Sequence, residues 1–325
     1  MLQAGKGTFS RGPAMLPRYL TRFDPDYIRG VARQIPYQRL QGGLFPGIEV
    51  WMRRDDLLDP LVSGNKAYKL LYNIQRMRDQ GLDTIITCGG AWSNHIHATA
   101  AAGQRFGFKT LGIIRGHRPA RFSATLRDAE RFGMELYFVS RAHYKKRAAG
   151  DFLASLDLQT RRGHFIPEGG ANMEGLMGLR MLGEVINESS PVDFDQVWLA
   201  CGTGVSLAGL QAGLGTAKVV GIPVLKAESG IRKEVSTWLA DARCRRTPEV
   251  LNGYHCGGYA RQTDELTDFQ QHFERVTRIP LEPVYTAKLA YALSKEIDAG
   301  NLAPHCRILL LHTGGLQGRR GLCIG

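Results

Sequence analysis

Short apolar runs alternate with stretches of helical periodicity along most of the chain. Residues 66–80 place apolar side chains at every third or fourth position, which predicts an amphipathic helix. Compact apolar runs such as 308–311 predict buried strands instead. On these two patterns we predict strands at 48–52, 84–88, 110–114, 136–139, 197–200, 219–224 and 308–311, and helices at 66–80, 94–106, 124–132, 174–186, 206–214 and 284–296.

This alternation predicts an α/β fold of open, twisted, mostly parallel sheets with helices on both faces. A chain of 325 residues is long enough for two domains, or for one domain split by another. No Pro/Ser-rich linker separates two halves, which favours the split arrangement. Ligands of such sheets bind beyond the carboxyl ends of the strands, so the loops that follow the predicted strands are the candidate site.

The chain carries 42 Lys and Arg against 30 Asp and Glu, a formal net charge of +12. Such a surplus suits nucleic acid, an anionic surface or an acidic ligand. The basic residues are dispersed, however, and the densest group lies in a predicted helix with Tyr144 as its one aromatic neighbour. A solvated helix face is the favoured interpretation, and we expect no nucleic-acid partner.

No apolar run is long enough to predict a membrane span, and the first 22 residues lack the apolar core of a secretory signal. Residues 1–15 mix Gly, Arg and Pro and are interpreted as a disordered extension. The six cysteines are scattered without a C-x-x-C pair, which favours reduced thiols and a cytoplasmic protein.

Lys66 stands at a predicted loop-to-helix junction, in the segment S-G-N-K at 63–66. The start of a helix carries partial positive charge, which lowers the pKa of a lysine placed there and favours the free amine. A free amine is what imine formation with an aldehyde requires. The alternative for this segment alone is an ordinary solvent-exposed lysine.

Two glycine-rich loops that follow predicted strands could bind anions. In C-G-G-A-W-S-N-H at 88–95, Ser93 or Asn94 can cap the next helix, whose first amides form an anion site; the alternative is a plain helix cap. In C-G-T-G-V-S at 201–206, small residues, hydroxyls and a helix start suit a phosphate. That loop matches neither a P-loop nor G-x-G-x-x-G, but with Glu228 beyond it the loop leaves nucleotide binding open.

Three further features are weak by themselves. Tyr259 and Tyr285 follow Gly or Pro, and H-T-G-G at 312–315 is another turn after a strand; packing and an ordinary turn are the alternatives. His95 and His97 lie two positions apart on a predicted helix and point to different faces, so we predict no metal site.

Taken together, these segments resemble the family of 1-aminocyclopropane-1-carboxylate deaminases and D-cysteine desulfhydrases, which are pyridoxal 5′-phosphate (PLP) enzymes of the tryptophan-synthase-β fold type. The matching motifs stand in family order between about residues 36 and 316. Each motif is weak alone, and the ordered set is specific. They are R-R-D-D at 53–56, G-N-K at 64–66, C-G-G-x-x-S-N-H at 88–95, I-P-x-G-G at 166–170, T-G-x-S-x-A-G-L at 203–210, P-V-Y-T at 283–286 and H-T-G-G at 312–315.

The resemblance implies an architecture and a role for each matching residue. Two α/β lobes would hold PLP in the cleft between them, with a large domain from 16–79 and 171–325, a small domain from 80–170, and a homodimer as the assembly. Lys66 would hold PLP as an imine and move the Cα proton, and Ser93 would receive the substrate carboxylate. Two tyrosines, Tyr259 and Tyr285, would flank the reacting face. The other cofactor contacts would be Lys69, Thr203, Gly204, Val205 and Ser206 at the phosphate, Asn94 at the phenolic oxygen, and Thr286 or Thr313 at the pyridine nitrogen.

The residue after the P-V-Y tyrosine bears on the reaction. In the cyclopropane-opening deaminases that position is a glutamate, whereas here it is Thr286. A neutral hydroxyl leaves the PLP ring less electron-withdrawing than a carboxylate partner would. That suffices when a thiolate leaves but suits ring opening less well. We therefore predict α,β-elimination of a small amino acid, D-cysteine, to pyruvate, ammonia and hydrogen sulfide.

Other functions stay open at this point. Within the family, 1-aminocyclopropane-1-carboxylate deamination and amino-acid racemisation are alternatives. Outside it, a nicotinamide-nucleotide oxidoreductase could use the loop at 201–206 but would leave Lys66 and Ser93 unexplained. A non-catalytic PLP-binding protein would bind the cofactor without turnover. Ala91 and Trp92 replace the family's usual Ile-Gln beside the carboxylate pocket, which leaves the substrate open.

Overall fold

The computed structural model describes residues 16–41, 43–158, 161–226 and 228–321, except for the side chains of Glu228 and Ser229; the predicted extension at 1–15 lies outside the described residues. The strands are β1 Tyr37–Arg39, β2 Glu49–Arg53, β3 Thr84–Gly89, β4 Lys109–Arg115, β5 Glu135–Val139, β6 His164–Ile166, β7 Gln196–Cys201, β8 Lys218–Pro223, β9 Glu249–Val250 and β10 Arg307–Leu311. The α-helices are α1 Pro25–Ala32, α2 Asn65–Asp79, α3 Asn94–Phe106, α4 Ala124–Arg131, α5 Arg141–Lys145, α6 Met173–Ser189, α7 Val205–Gly213, α8 Glu228–Asp241, α9 Asp264–Thr277 and α10 Thr286–Asp298. Short 3-10 helices span Asp55–Leu57, Ala154–Leu156, Glu168–Gly170 and Leu316–Gly321.

The strands form two sheets. The first has the order β1-β2-β10-β7-β8-β9 and is parallel except for β1, which pairs with β2 in the antiparallel sense. The second has the order β5-β4-β3-β6 and is parallel throughout. The predicted α/β fold with mostly parallel sheets is therefore confirmed. The second sheet uses strands from residues 84–166 alone, and the domain boundaries at 79/80 and 170/171 stay a prediction.

Both faces of the first sheet are buried under helices. Leu309 and Leu311 of β10 pack on one face in a core that includes residues of α2, α6 and α7. Ile308 and Leu310 point to the other face, where residues of α9 and α10 pack against them. This alternation follows from the two-residue period of a strand, and it explains why the run at 308–311 is continuously apolar.

Three helices, α1, α8 and α9, lie outside the predicted elements. Two of them start at side-chain caps: Asp24 accepts a hydrogen bond from the amide of Tyr27 at 3.0 Å, and Thr263 accepts one from Leu266 at 3.2 Å. Such caps satisfy amides that have no partner within the helix. Within the described ranges, no helix is long and apolar enough to cross a membrane.

The R-R-D-D motif forms two ion pairs where β2 ends. Arg53 lies 3.1 Å from Asp55 and Arg54 lies 2.8 Å from Asp56, and all four side chains are buried. The hydroxyl of Tyr68, on α2, donates to Asp55 at 2.6 Å. Buried charges must be paired and hydrogen bonded. Since Tyr68 of α2 supplies one of these hydrogen bonds, the contact with Asp55 anchors the first turns of α2 to the end of β2.

Candidate active site

Five loops that follow strands meet at the start of α2. They are the loops after β2, β3, β6, β7 and β10. Four of them are the strand-end loops selected in the sequence analysis, and the loop after β6 carries the I-P-x-G-G motif of the family resemblance. The contacts between them join Gly64 with Thr313, Asn65 with Ser206, Lys69 with Gly169, and His95 with Gly170. The candidate site thus lies at the carboxyl ends of strands from both sheets, as is usual for α/β folds.

Lys66 is the second residue of α2, and its Nζ donates to Oδ1 of Asn65 at 2.7 Å. Burial lowers the pKa of its amine to about 8, although the nearby Glu282 carboxylate opposes this shift. The lowered pKa agrees in direction with the sequence analysis, which attributes it to the helix start, but the cause in the structure is burial. At pH 7 about one tenth of such an amine is uncharged, against less than about one part in a thousand for an ordinary lysine.

Gly64 sets the position of Lys66. Its φ is +58°, and a Cβ atom at this position would lie 2.0 Å from the carbonyl oxygen of Thr313. The amide of Asn65 donates to that same oxygen at 3.3 Å. The H-T-G-G turn after β10 therefore fixes the first residues of α2, and the turn requires glycine at position 64.

The loop after β7 forms a cradle at a helix start. Gly204 has a φ of +80° and is followed directly by α7, whose first residues are Val205 and Ser206. The first amides of a helix have no partner within it, so those of α7 are available to an anion. Ser206 Oγ accepts a hydrogen bond of 3.3 Å from Asn65, which places this cradle beside Lys66.

Lys69 lies one helical turn after Lys66 and is buried. Its Nζ donates to the carbonyl oxygen of Gly169 at 2.7 Å. Burial, together with the positive charge of Lys66, holds the pKa of this amine well below its usual range. A Cβ at Gly169 would lie 3.2 Å from the Thr203 methyl group, so Lys69 and the α7 cradle border the same loop.

His95 is a site residue that the sequence analysis missed. It is buried, and neither ring nitrogen has a hydrogen-bond partner among the described residues. Burial and the positive charges of Lys66 and Lys69 hold its pKa well below the usual range, so the ring is neutral. Buried polar atoms without partners mark a place for a polar ligand. Its place next to Ser93 and Asn94 in the loop motif was the available signal.

Ser93 and Asn94 open α3. Ser93 Oγ accepts a hydrogen bond of 3.3 Å from the amide of Ile96, so it is the helix cap, and its hydroxyl proton remains available to a further acceptor. Asn94 Oδ1 accepts a hydrogen bond of 2.9 Å from Gln317. Both residues therefore lie where the sequence analysis placed them, at the helix start after the glycine-rich loop that follows β3.

Glu282 is the second site residue that was missed. It is almost fully buried, and its carboxylate accepts hydrogen bonds from the amides of Val284 at 3.0 Å and Tyr285 at 2.7 Å. Burial raises its pKa to about 7, even though these two amides and the nearby Lys66 and Lys288 act in the opposite direction. The signal in the sequence was the acidic residue that precedes P-V-Y-T.

The two candidate tyrosines lie close enough for the charge of one to affect the pKa of the other. Tyr285 is half-buried, and a Cβ atom at Gly202 would lie 3.6 Å from its hydroxyl. Burial, Tyr259 and Glu282 raise its pKa well above the usual range. Tyr259 is 40% exposed, and its hydroxyl donates to the carbonyl oxygen of Trp92 at 3.4 Å. Loss of hydration raises the pKa of Tyr259 to about 12.

The two candidate threonines differ in what their hydroxyls contact. Thr286 is fully buried; its Oγ1 accepts from the amide of Glu282 at 2.6 Å and donates to the carbonyl oxygen of Glu282 at 3.1 Å. Its only proton is therefore used inside the turn. Thr313 is half-buried, and its hydroxyl makes no hydrogen bond within the described part of the chain.

Two further predictions concern metal and nucleotide. Across the described ranges, no group of three or more His, Cys, Asp or Glu side chains is placed to hold a metal ion. The Glu228 side chain, the candidate ribose ligand, lies outside the described residues.

The chain is similar to known proteins along most of its length. The sequence profile of the family described as "Pyridoxal-phosphate dependent enzyme" matches residues 28–314. A putative 1-aminocyclopropane-1-carboxylate deaminase of Pyrococcus horikoshii is 29% identical over 283 residues, which are 84% of this chain and 86% of that protein. The bifunctional D-cysteine desulfhydrase/1-aminocyclopropane-1-carboxylate deaminase, mitochondrial, of Arabidopsis thaliana is 31% identical over 303 residues, 85% of this chain and 74% of that protein. The crystal structure of an ACC deaminase homologue superposes with a TM-score of 0.77 at 28% identity and covers 94% of each chain.

Proposed function

The chain belongs to the family of pyridoxal-phosphate dependent enzymes, and from this premise we propose that it eliminates hydrogen sulfide from D-cysteine. The observation that carries the proposal is Lys66, a desolvated amine at a helix start, beside a buried carboxylate and a cradle of helix amides. The Arabidopsis relative, named for D-cysteine desulfhydration and 1-aminocyclopropane-1-carboxylate deamination, supports a small amino acid as the substrate. One D-cysteine and one water would give pyruvate, ammonia and hydrogen sulfide.

The residues of the site fit PLP. The two unpartnered nitrogens of His95 call for a polar ligand beside Lys66. A Cβ at Gly170 would lie within 3.3 Å of both Lys69 and His95, so glycine keeps this space open. We assign the phosphate to the start of α7 and its neighbours, and the phenolic oxygen of the ring to the start of α3. The residues in these roles are Lys69, Thr203, Gly204, Val205 and Ser206 for the phosphate, and Asn94 for the ring.

PLP, when bound, withdraws the electron pair that the broken Cα–H bond leaves behind. Lys66 would hold the cofactor through Nζ and would move the Cα proton, because its lowered pKa lies near neutral pH, where a base is most effective. Ser93 receives the substrate carboxylate with the hydroxyl proton that helix capping leaves free.

Tyr285 and Tyr259 hold protons on the reacting side. Their pKa values are raised, so both phenols stay protonated at neutral pH and can donate to the departing thiolate. Glu282 positions Tyr285 because its carboxylate accepts a hydrogen bond from the backbone amide of Tyr285. We therefore propose the two tyrosines as acids and Lys66 as the base.

Thr313 is the better candidate for the pyridine nitrogen, because the hydroxyl of Thr286 already donates its hydrogen bond to the carbonyl oxygen of Glu282. Either threonine is neutral, and a neutral partner favours substrates with an easily departing group over a cyclopropane. D-cysteine, which loses a thiolate, is such a substrate.

The test is an absorption spectrum of the purified holoenzyme, followed by D-cysteine with detection of sulfide and pyruvate. A visible absorbance band that changes with D-cysteine while both products appear is the expected result. 1-Aminocyclopropane-1-carboxylate and the alanine enantiomers are offered in parallel. Release of 2-oxobutanoate would favour deamination, interconversion of the alanines would favour racemisation, and a band without products would favour a binding protein. Absence of any band after PLP addition would refute the proposal.

We also propose a cytoplasmic homodimer. The cysteines within the described ranges, Cys88, Cys201, Cys244, Cys256 and Cys306, are free thiols, which suits a reducing compartment. Met173 and Met177 lie one turn apart on α6 and are 36% and 45% exposed, so they offer an apolar patch to a second copy. The Arabidopsis relative is named as mitochondrial, so imaging of the tagged protein decides the compartment. Light scattering decides the assembly.

A further inference from the structure

A cavity of about 500 Å³ opens where β4 and β5 end. Its apolar wall includes the side chains of Ile114 and Phe138. Its charged lining is basic, and no Asp or Glu lines it among the described residues. An apolar wall with cationic groups at its rim fits an anion carried on a short carbon chain. The basic residues are Arg115, His117 and Arg141.

The two arginines of this cavity are not neutralised by the protein. Neither Arg115 nor Arg141 forms an ion pair within the part of the chain that the structure describes. The guanidinium group of Arg115 lies 5.8 Å from the ring centroid of Tyr144. The carboxylate of Glu168, which accepts a hydrogen bond from Tyr144, is already paired with Arg147 at 2.5 Å. The cavity therefore keeps unused guanidinium donors, which bind carboxylates in paired hydrogen bonds.

The cavity adjoins the candidate active site. Ala91, from the loop that leads to Ser93, is part of its lining. A guanidinium nitrogen of Arg115 lies 3.4 Å from the position of a Cβ at Gly90, so this cation lies against the same loop. The charge of Arg115 also acts on Tyr259, which faces the site. A substrate held at Ser93 could therefore extend its side chain toward Arg115.

We propose that this cavity binds a carboxylate at the end of the substrate side chain, so that acidic amino acids with a leaving group at Cβ are preferred. The proposal rests on the elimination function and deepens it by naming the substrate class. D-cysteine would be a minimal substrate that leaves the cavity unused. A cysteine whose sulfur carries a short acidic substituent would fill it.

The elimination of such a substrate balances as follows. The Cα–H and Cβ–S bonds break, and the thiolate leaves with the Cβ–S electron pair and takes up one proton. The remaining three-carbon enamine is hydrolysed by one water to pyruvate and ammonia. S-carboxymethylcysteine would thus give thioglycolate, pyruvate and ammonia, with no oxidant or reductant.

The experiment compares S-carboxymethylcysteine with S-carbamoylmethylcysteine on the holoenzyme, in both enantiomers. The two compounds have nearly the same shape and differ in one negative charge. We expect kcat/KM to favour the acid by about tenfold, as a charge-assisted hydrogen bond allows. The preference should shrink between low and high salt, because the cavity is open to solvent.

Variants assign the preference to the cavity. Arg115→Gln and Arg141→Gln should each reduce the ratio of the two kcat/KM values, and the double variant should bring it close to one. Arg121→Gln is the matched control, since Arg121 is an exposed arginine in the loop between β4 and α4 and does not line the cavity. This variant should keep the wild-type ratio. A ratio below about threefold in the wild type, or one that survives in the double variant, would overturn the proposal.

Binding separates this proposal from the function on which it rests. Each compound is titrated against the visible absorbance of the holoenzyme to obtain its Kd. If D-cysteine gives no sulfide but the acid still binds about tenfold more tightly than the amide, elimination fails and the cavity proposal holds. If D-cysteine is consumed and the two compounds bind equally, the cavity proposal fails and elimination holds.

Discussion

The side-chain amide of Gln317 donates a hydrogen bond of 2.9 Å to Oδ1 of Asn94. With its oxygen occupied, Asn94 presents Nδ2 as a donor, and this atom lies 2.5 Å from the position of a Cβ at Gly315. The proposed contact with the phenolic oxygen of PLP needs this donor. The 3-10 helix at Leu316–Gly321 thus orients Asn94 of α3, which we propose as a cofactor contact, and Arg320 in the same helix pairs with Asp128 of α4.

Replacing Gln317 should weaken the orientation of Asn94. For Gln317→Ala we expect the PLP dissociation constant to rise about three- to tenfold, since one neutral hydrogen bond is lost. Equilibrium dialysis against PLP measures this. Gln271→Ala, an exposed glutamine on α9, is the control and should leave the constant unchanged. Equal constants for wild type and Gln317→Ala would show that Asn94 needs no such support.

The lowered pKa of Lys66 predicts how capture of PLP depends on pH. The free amine reacts, so the rate at which apoenzyme gains visible absorbance should rise with pH and level off above about pH 8. In Glu282→Gln the midpoint should move to lower pH, because the Glu282 carboxylate raises the pKa of Lys66. Lys66→Ala should form no band. A band in that variant would mean that another amine holds the cofactor.

Glu282 predicts a pH-dependent stability. Its pKa of about 7 in the fold exceeds the value near 4.3 of an unfolded glutamate, so the folded state favours the protonated form. The resulting stabilisation is complete below about pH 4 and is lost as the pH rises through 7, by roughly 4 kcal/mol in total. Glu282→Gln has no carboxyl group to titrate at this position, so its unfolding free energy should not fall in this way as the pH rises. Urea unfolding at pH 5 and pH 7.5 should show a smaller decrease for the variant than for the wild type, and parallel decreases would argue against a raised pKa.

Gly64→Ala tests the fixed start of α2. A Cβ would collide with the Thr313 carbonyl, so we expect a loss of several kcal/mol in unfolding free energy together with weaker PLP capture. Gly81→Ala is the matched control, because Gly81 has a similar φ of +64° and no atom within 4 Å of the added Cβ. It should cost only about 1 kcal/mol, and similar losses in the two variants would mean that the contact with Thr313 is unimportant.

Helices whose ends are marked in the sequence, by a capping residue or a terminal glycine, were predicted best. The predicted helix at 94–106 matches α3, which starts after the Ser93 cap and ends before Gly107 in the left-handed conformation. Helix α9 was missed although it has a cap, because its fully buried apolar residues, Leu266 and Phe273, lie two turns apart. A stripe that narrow gives a weak periodic signal.

The candidate site was predictable where it depends on loops after strands, and less so where it depends on burial. The loops at Lys66, Ser93 and Ser206 followed from strand positions. Glu282 and His95 acquire their properties from neighbours that are distant in sequence, such as Lys66, and the sequence does not reveal which side chains lose water. The use of the Thr286 proton inside its own turn is a local contact, four residues back along the chain, and it depends on a turn geometry that the apolar pattern does not indicate.

The place of β10 in the first sheet has a consequence for biosynthesis. β10 lies between β2 and β7, with Leu309 paired to Trp51 on one side and Val197 on the other. While the chain is being made, β2 and β7 lack their shared neighbour until residues 307–311 have left the ribosome. The second sheet, from residues 84–166, can form earlier. Nascent chains therefore pass through a stage with unpaired strand edges, which are prone to aggregation, and the site around Lys66 forms only after residues 307–311 have emerged.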